Sequence, residues 1–185
     1  MPSTITPEQA RAVLRKAELL FTPAQVQSAL DSLAAAVTTH LEHCNPLVLI
    51  VMNGAFIPGA QLVSRLQFPL QAGYLHATRY RSDTQGGEID WIAQPYPAVT
   101  GRIVLVFDDI FDEGNTLQAI VEEVRRQGAV ETYSAVLVNK RHDRKSAGLT
   151  VDFVGLEVPD RYVFGCGMDY KEYWRQLPGI YAISS

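Results

Sequence analysis

The chain has 185 residues, enough for one domain with a substantial core, and 47% of them are hydrophobic and 19% charged, as in ordinary globular proteins. The formal net charge of -4 argues against the basic surface that nucleic-acid-binding proteins need. Two cysteines are too few for a disulfide framework and predict a reducing, cytoplasmic environment. The polar N-terminus does not resemble a signal peptide, and no apolar run approaches the roughly 20 residues that cross a bilayer.

The N-terminal region, residues 1–45, is predicted to be helical. The sequences TPEQ at 6–9 and TPAQ at 22–25 both have the pattern of a capping box with proline at the first helical position. In this pattern the threonine and the glutamine each satisfy a backbone N–H that the first turn leaves without a partner. We therefore expect helices at about 7–20 and 23–43.

His40, His43 and Cys44 lie close together near the end of the second predicted helix. Their side chains are of types that bind zinc, and residues 40 and 43 share a helix face. A structural zinc site needs about four ligands, however, and the sequence has no partner cluster. A polar helix end is the favoured interpretation, with a zinc site as the alternative.

From residue 46 onward, apolar runs alternate with amphipathic segments. The run LVLIVM is typical of a strand that is buried on both faces of a parallel sheet. An alternation of strands and helices predicts an α/β fold with a largely parallel sheet. Strands are expected at 47–52, 71–80, 88–93, 102–107, 132–139 and 151–158, and helices at about 56–66 and from 117 to a stop at Gly128.

The stretch VLVFDDIFDEGNTL (104–117) joins a buried strand to a helix through an acidic turn. The free amides of residues 114–116 and the helix dipole can hold a phosphate there. Asp108, Asp109 and Asp112 repel a phosphate, but carboxylates bind sugar hydroxyls and Mg²⁺ and accept protons. A phosphorylated ribose with a bound magnesium ion would use every part of the stretch.

The stretch resembles the 5-phosphoribosyl-1-pyrophosphate (PRPP) signature of type I phosphoribosyltransferases. Taken without that resemblance, a response-regulator-like strand, acidic turn and capped helix is the alternative. The resemblance implies one domain over residues 1–185, in which a mostly parallel twisted sheet flanked by helices forms a core at 46–158. It also implies a small hood formed by terminal segments, with the purine-binding part at 159–185. The implied PRPP-binding residues are Asp108, Asp109, Glu113, Gly114, Asn115 and Thr116, and Asp108, Asp109 and Asp169 are the implied Mg²⁺ ligands.

Further segments resemble the hypoxanthine-guanine branch of this family. VMNGAF (51–56) stands in the place of the pyrophosphate-binding loop, which in the family contains a non-proline cis peptide, here at Met52–Asn53. Met52, Asn53, Gly54 and Arg175 are the implied pyrophosphate contacts. A plain strand-to-helix turn with Gly54 at positive φ is equally compatible with these residues.

The segment YLHATRY (74–80) and the glycine pair at 86–87 resemble the family's mobile lid, expected over about residues 79–90 with Arg79 and Tyr80 in it. A ribosyl cation must be shielded from water, so the chemistry needs a cover of this kind. An ordinary polar surface loop is the alternative interpretation.

Lys140, in the sequence VNKR, resembles the lysine that binds the purine O6 and so favours 6-oxopurines over adenine. The segment VPDRYVFGCGMDY (158–170) resembles the purine-binding segment. By that resemblance Tyr162 stacks on the base, the backbone around Val163 pairs with its edge, and Asp169 lies near magnesium. The two glycines of this segment do not make a dinucleotide-binding motif, because the third glycine is missing.

The resemblance implies a purine salvage enzyme that transfers ribose 5-phosphate from PRPP to hypoxanthine or guanine, giving IMP or GMP and pyrophosphate. Asp112 would take the proton at purine N7, and Mg²⁺ would neutralise the departing pyrophosphate. The expected partners are PRPP and a 6-oxopurine, with no nucleic acid or membrane, in a homodimer or homotetramer. Two alternatives are a regulatory relative that binds PRPP without turnover and a xanthine-preferring enzyme.

Glu113 stands where many relatives have a hydroxyl residue that binds the 5′-phosphate, and Asn53 stands where many have lysine or glycine. Asp108 replaces the more common glutamate, which has a longer reach to the same sugar hydroxyl. The resemblance then implies that binding of the phosphate relies on backbone amides and on Thr116.

Overall fold

A computed structural model describes residues 5–79, 89–146 and 148–184. The helices in these residues are α1 (Pro7–Lys16), α2 (Pro23–Leu41), α3 (Phe56–Val63) and α4 (Asn115–Arg126). The strands are β1 (Glu18–Phe21), β2 (Leu47–Met52), β3 (Gln71–Arg79), β4 (Ile89–Tyr96), β5 (Ile103–Phe111), β6 (Glu131–Lys140), β7 (Phe153–Val158), β8 (Val163–Phe164) and β9 (Ile180–Ala182).

Capping boxes start both N-terminal helices, as predicted. The side chains of Thr6 and Thr22 accept hydrogen bonds from the backbone amides of Gln9 and Gln25. In return, the side-chain oxygen of each glutamine accepts a hydrogen bond from the backbone N–H of its threonine. The prediction that the first helix extends to residue 20 is wrong, because α1 ends at Lys16 and residues 18–21 form β1. That strand pairs with β9 at the other end of the chain, a partner that local periodicity does not reveal.

The central sheet has the strand order β4-β3-β2-β5-β6-β7. All neighbouring strands are parallel except β4, which runs antiparallel to β3 along one edge. Helix α2 contacts β7 and helix α4 contacts β6, so helices flank the sheet. Leu49 and Leu105 are completely buried, and each such side chain contributes about 1.5–3 kcal/mol relative to an exposed one. The predicted α/β class is confirmed.

Strand β5 is longer than predicted and carries the first part of the acidic stretch. The expected end was residue 107, but the ladder with β6 continues through Asp108, which lies opposite Val136, to Phe111, which lies opposite Asn139. Backbone pairing with a neighbouring strand outweighs the low strand propensity of aspartate. The acidic residues are therefore held on a rigid strand next to the end of β6.

The predicted lid falls largely outside the described residues. Strand β3 ends at Arg79 and β4 begins at Ile89, so the outer residues of the 79–90 segment belong to strands, whereas Tyr80 and the rest of the segment are not described. None of the helices in the described residues has the length and apolar character needed to cross a bilayer.

A second, three-stranded sheet of order β1-β9-β8 forms the hood. The Trp174 indole N–H donates to the carbonyl of Ala10 at 3.0 Å, and the Arg161 guanidinium bonds Glu18 at 2.6 Å. Arg161 also donates to the carbonyl of Ile183 at 2.8 Å. The purine-binding segment predicted at 159–185 is thus held to the N-terminal part of the chain as well as to its own last strand.

Candidate active site

The start of helix α4 is shaped to receive an anion. Gly114 caps the helix at φ 84°, and a Cβ added to it would lie 2.2 Å from the Phe111 ring, so only glycine fits. The first helical hydrogen bond runs from the Gln118 amide to the Gly114 carbonyl at 2.9 Å, which leaves the amides of 115–117 without helical partners. Residues 114–117 line a cavity of about 410 Å³. This is the geometry expected of a phosphate-binding helix terminus.

Asp108 and Asp109 line the same cavity at the end of β5. Burial, followed by the charge of Asp109, raises the pKa of Asp108 well above its usual value. Burial also raises the pKa of Asp109, although a hydrogen bond with Asp108 and the charge of Arg175 partly oppose that shift. Two carboxylates with raised pKa values gain from a ligand that brings positive charge or hydroxyl donors.

The turn after β2 packs directly on this acidic pair. The Met52–Asn53 peptide is cis, as the resemblance implied, and Gly54 does not have the positive φ of the alternative interpretation. A Cβ on Gly54 would lie 2.0 Å from an Asp109 carboxylate oxygen. A Cβ on Gly167 in the hood would lie 2.0 Å from the Gly54 carbonyl. The turn therefore packs against the Asp109 side chain of the sheet on one side and against the hood backbone on the other, and neither glycine has room for a side chain.

Arg175 lies beside this turn. Its guanidinium donates to the Gly167 carbonyl at 2.9 Å and bonds Asp169 at 2.7 Å. Together with Met52 and Gly54 it lines the 410 Å³ cavity. Asn53 lines a neighbouring cavity of about 420 Å³ with Met52 and Arg175. The residues expected to contact pyrophosphate are thus brought to one place.

A third cavity, of about 240 Å³, lies between the sheet and the hood. Lys140, Tyr162, Val163 and Asp169, the residues expected to bind the purine, all line it, and so does Met168, which the sequence analysis did not single out. The Tyr162 side chain is half exposed. This cavity shares Asp109, Ile110 and Asp112 with the 410 Å³ cavity, so the two form one continuous cleft.

Asp112 lies where these two cavities meet, and both of its carboxylate oxygens are engaged. Lys140 Nζ bonds Oδ2 at 2.5 Å, and His142 Nε2 contacts Oδ1 at 2.7 Å. Partial burial acts to raise the pKa of Asp112, but the hydrogen bonds from Lys140 and His142 together outweigh it and hold the pKa below the usual value. Asp112 is therefore ionised at neutral pH and ready to accept a proton once a donor replaces Lys140.

Comparisons with known proteins agree with this geometry. Residues 21–172 match the model of the phosphoribosyl transferase domain. The chain belongs to the phosphoribosyltransferase family. It is 34% identical over 164 residues to a hypoxanthine-guanine phosphoribosyltransferase of Bacillus subtilis, covering 88% of this chain and 91% of that relative. The solved structure of a hypoxanthine phosphoribosyltransferase from Staphylococcus aureus superposes with a TM-score of 0.86 at 26% identity, covering 94% of this chain and 95% of that one.

A relative with a broader name is also similar. The hypoxanthine-guanine-xanthine phosphoribosyltransferase of Tritrichomonas foetus is 27% identical over 162 residues, which is 88% of each chain. The match to the domain model, over residues 21–172, includes the whole central sheet and strand β8 of the hood. The family membership and the cleft geometry agree, since the turn expected to bind phosphate and the residues expected to bind the purine line two cavities that share Asp109, Ile110 and Asp112.

Asp108 and Asp109 are suitable ligands for the divalent metal ion expected in a phosphoribosyltransferase, because their raised pKa values show that their charged forms lack stabilisation. Asp169 faces the cleft, but its oxygens already accept bonds from Arg175 and from the Glu172 amide, so its role as a metal ligand stays a prediction. In the described residues, His40, His43 and Cys44 do not bring three ligand atoms together, which leaves the zinc alternative without structural support.

Asp112, His142 and Asp160 do have ligand atoms within 4.8 Å of one another. Lys140 pairs with Asp112, however, and Arg144 holds both oxygens of Asp160 at 2.8 and 3.0 Å. These cations already balance the two carboxylates. The cluster is therefore better described as a network of ion pairs than as a metal site.

The part played by the segment after β6 was not predicted from the sequence. His142 contacts Asp112, the Ser146 amide donates to the Glu113 carbonyl at 2.8 Å, and Lys145 Nζ lies 4.2 Å from the centre of the Phe111 ring. Residues 141–146, named here the brace segment, thus support the acidic turn from behind. No residue spacing in the sequence signals these contacts, which depend on how the chain leaves the sheet.

Proposed function

We propose that this protein is a purine salvage enzyme that transfers the ribose 5-phosphate of PRPP to hypoxanthine or guanine, releasing IMP or GMP and pyrophosphate. The observation that carries the proposal is the continuous cleft around Asp112. One end of the cleft offers helix-terminal amides, and the other offers an aromatic ring and a buried lysine. The names of the relatives from Bacillus subtilis and Tritrichomonas foetus support the same activity.

In this proposal the amides of residues 115–117 and the Thr116 hydroxyl bind the 5′-phosphate of PRPP, while Asp108 and Asp109 face the ribose hydroxyls. Glu113 is exposed, and its carboxylate accepts a hydrogen bond from the side-chain Nδ2 of Asn115 at 3.1 Å. Its charge is therefore directed to a neighbouring side chain rather than to the anion. Met52, Gly54 and Arg175 line the cleft on the pyrophosphate side.

The purine occupies the 240 Å³ cavity, with Tyr162 against its face and Lys140 at its O6. A lysine ammonium only donates hydrogen bonds, so it pairs with the carbonyl of a 6-oxopurine and has no acceptor to pair with at the amino group of adenine. The Tyr162 hydroxyl donates to the Asp169 carbonyl at 3.2 Å, and its ring meets the edge of Tyr170 at 5.6 Å. These contacts support a fixed stacking platform.

The proposed reaction moves one proton and exchanges one bond at the sugar. The purine N9 lone pair forms a bond to C1′ as the bond from C1′ to the pyrophosphate oxygen breaks, and the bonding electrons leave with pyrophosphate. Asp112 accepts the proton from N7, so that the new nucleotide is neutral at its imidazole ring. Positioning and electrostatics carry most of the rate in group transfer of this kind.

We further propose that Mg²⁺ is held by Asp108 and Asp109, directly or through the ribose hydroxyls, with Asp169 as a third candidate. When bound, the ion supplies positive charge that neutralises the departing pyrophosphate. The raised pKa values of the two aspartates support this assignment, because burial disfavours their charged forms and a bound cation would stabilise them.

A homodimer or homotetramer is the assembly we propose. Exposed apolar side chains at Phe56, Ile92 and Tyr96, which are 59%, 61% and 67% exposed, are of a kind that subunit interfaces cover. Light scattering in solution measures the subunit number directly. A cytoplasmic location stays a proposal based on the two cysteines, neither of which forms a disulfide.

The test of the function is a turnover assay with PRPP and Mg²⁺ and, in separate reactions, hypoxanthine, guanine, xanthine and adenine. We expect nucleotide and pyrophosphate in equal amounts with hypoxanthine or guanine and little product with adenine. Fastest turnover with xanthine would favour the xanthine-preferring alternative. PRPP binding in a calorimeter without product from any base would favour the regulatory alternative and overturn the proposed activity.

A further inference from the structure

His142 is a buried histidine that the reaction described above does not use. Its side chain is only 4% exposed, although it lies in the brace segment between the exposed Arg141 and Asp143. Its ring contacts Asp112 at 2.7 Å on one side and the Arg144 amide at 3.1 Å on the other. Both ring nitrogens are therefore engaged with groups of known hydrogen-bonding character.

These two contacts fix where the ring proton lies. The Arg144 amide can only donate, so His142 Nδ1 must accept and carries no proton. The ring proton is then on Nε2, which donates to Oδ1 of Asp112. If both ring nitrogens carried protons, the Nδ1–H of His142 would point at the backbone N–H of Arg144, and two donors would face each other. The brace segment thus presents a neutral imidazole with a single N–H directed at the carboxylate.

The two partners of Asp112 lie on different sides of it. Lys140 lines the 240 Å³ cavity together with Tyr162 and Val163, whereas His142 lines neither that cavity nor the 410 Å³ one. A ligand in the 240 Å³ cavity can therefore take over the bond that Lys140 makes, but it cannot reach the bond that His142 makes. One carboxylate oxygen is thus paired with a residue of the cavity lining, and the other with a residue outside it.

We propose that His142 is a positioning residue that anchors Oδ1 of Asp112, so that Oδ2 stays aimed at the purine N7 proton when Lys140 leaves it for the purine O6. The inference rests on the proposed function. Without the anchor the carboxylate is free to rotate about its Cβ–Cγ bond, and no oxygen is kept in line with the proton.

The exchange also tunes the carboxylate. Lys140 makes the largest favourable contribution that holds the pKa of Asp112 down, and His142 makes the next. Transfer of Lys140 to the base therefore makes Asp112 a stronger proton acceptor only when a 6-oxopurine is present. The His142 bond remains and keeps the group ionised until the proton arrives.

The test compares kinetic constants of purified full-length variants. For His142→Ala we expect kcat to fall about tenfold or more and the KM for PRPP to change less than about twofold. The variant loses a hydrogen bond to the charged Asp112 carboxylate but no contact in the phosphate-binding part of the cleft. His142→Gln retains an N–H near the position of Nε2 and should recover most of kcat. Free imidazole should partly restore His142→Ala.

His43→Ala is the matched control, because its side chain is 91% exposed and does not line the cleft, and its kinetics should equal those of the unaltered protein. The proposal is overturned if His142→Ala keeps full kcat, or if His142→Gln is as slow as His142→Ala. It is also overturned if kcat and the affinity for PRPP fall together.

A measurement that needs no turnover separates this inference from the proposed function. In protein labelled with ¹⁵N at histidine, the His142 ring, assigned by its absence from His142→Gln, should show an unprotonated Nδ1 and a proton on Nε2. A proton on Nδ1 would refute the anchor even if the enzyme is active. The expected tautomer in a protein that turns over no purine would instead leave the anchor intact and count against the proposed function alone.

Discussion

The cleft has two halves: the phosphate half around Asp108, Asp109 and residues 114–117, and the base half around Asp112 and Lys140. The aspartates of the two halves have pKa values shifted in opposite directions. In the phosphate half, burial raises the pKa values of both Asp108 and Asp109, and the charge of Asp109 raises the pKa of Asp108 further. In the base half, Asp112 lies three residues further along and has a lowered pKa, because the hydrogen bonds of Lys140 and His142 outweigh its partial burial. One short stretch of chain thus holds carboxylates in two electrostatic states.

This difference indicates how each half is completed. In the phosphate half the charge of Arg175 offsets the raised pKa of Asp109 only in part, so we expect a ligand or a metal ion to complete the balance of charge. The base half is already balanced within the protein, and a substrate must displace an internal ion pair to enter. Binding in the first half is therefore expected to depend on the metal, and binding in the second on replacement of an equivalent hydrogen bond.

Asp112→Asn is expected to cause the largest loss of kcat, through the base half of the cleft. The amide cannot take up the N7 proton, and general base catalysis typically contributes about 10²–10⁴-fold, so we expect a loss of that size in kcat. The KM for PRPP should change only a few-fold, because the phosphate half is untouched. Steady-state kinetics measure both constants, and Asp31→Asn, at an exposed residue of α2 that does not line the cleft, is the control. Equal losses in kcat and in PRPP affinity would contradict the separation of the two halves.

Gly114→Ala is expected to lower kcat/KM for PRPP by disturbing the phosphate half of the cleft. The added Cβ meets the Phe111 ring, so the helix terminus must shift, and a displacement of about 1 Å can cost about 100-fold in kcat/KM for PRPP. Gly101→Ala is a close control, since Gly101 also has positive φ, 74°, but nothing lies within 4 Å of its added Cβ. If the two variants lose the same activity, backbone strain alone explains the effect and the phosphate assignment fails.

Lys140→Ala sharpens the comparison by removing the exchangeable partner of Asp112. The preference for hypoxanthine over adenine, measured as the ratio of kcat/KM values, should fall about tenfold or more, as expected for one hydrogen bond from a charged donor. Lys16→Ala, at an exposed residue in the last turn of α1, is the control. An unchanged preference would show that Lys140 serves Asp112 only and does not contact the base.

The smallest effect is on stability. Asp108→Asn removes a carboxyl whose pKa is raised in the folded protein, and ionising such a group costs stability as the pH rises from its unfolded pKa, near 4, through its folded pKa. We expect a gain of about 0.5–2 kcal/mol in the free energy of unfolding at neutral pH, together with weaker PRPP binding. Chemical denaturation at several pH values measures it.

The gain from Asp108→Asn should disappear below about pH 4, where the carboxyl is protonated in both states. Asp90→Asn, on the exposed edge strand β4, is the control and should change stability by less than about 0.5 kcal/mol. A constant gain at every pH would mean that the charge of Asp108 is not its cause.

Much of the fold could be predicted because its signals are local. The capping boxes before α1 and α2 and the apolar run of β2 depend on neighbouring residues only, and the acidic turn has a fixed order of residue types. Strand β1 was missed because its hydrogen bonds come from β9, and the extension of β5 was missed because β6 supplies its ladder. Pairing between distant segments leaves little trace in either segment alone.

The candidate site shows the same division. The expected residues of the acidic turn and the purine-binding segment line the two joined cavities, because each belongs to a motif with a characteristic order. His142 and Lys145 were not expected, since a single histidine or lysine in a polar loop has no pattern to distinguish it. Their positions follow from the path of the brace segment behind Asp112 and Phe111, which only the folded chain defines.

The hood sheet has a consequence for how base preference could change over time. Its β1 strand comes from near the start of the chain, yet it pairs with β9, which pairs with β8 beside Tyr162. A substitution at Leu19 or Phe21 can therefore shift the backbone beside Tyr162, in the proposed purine pocket, through two strand pairings. Such a substitution alters no residue that lines the pocket. Variants selected for a different purine should carry changes in this remote strand as well as in the pocket wall.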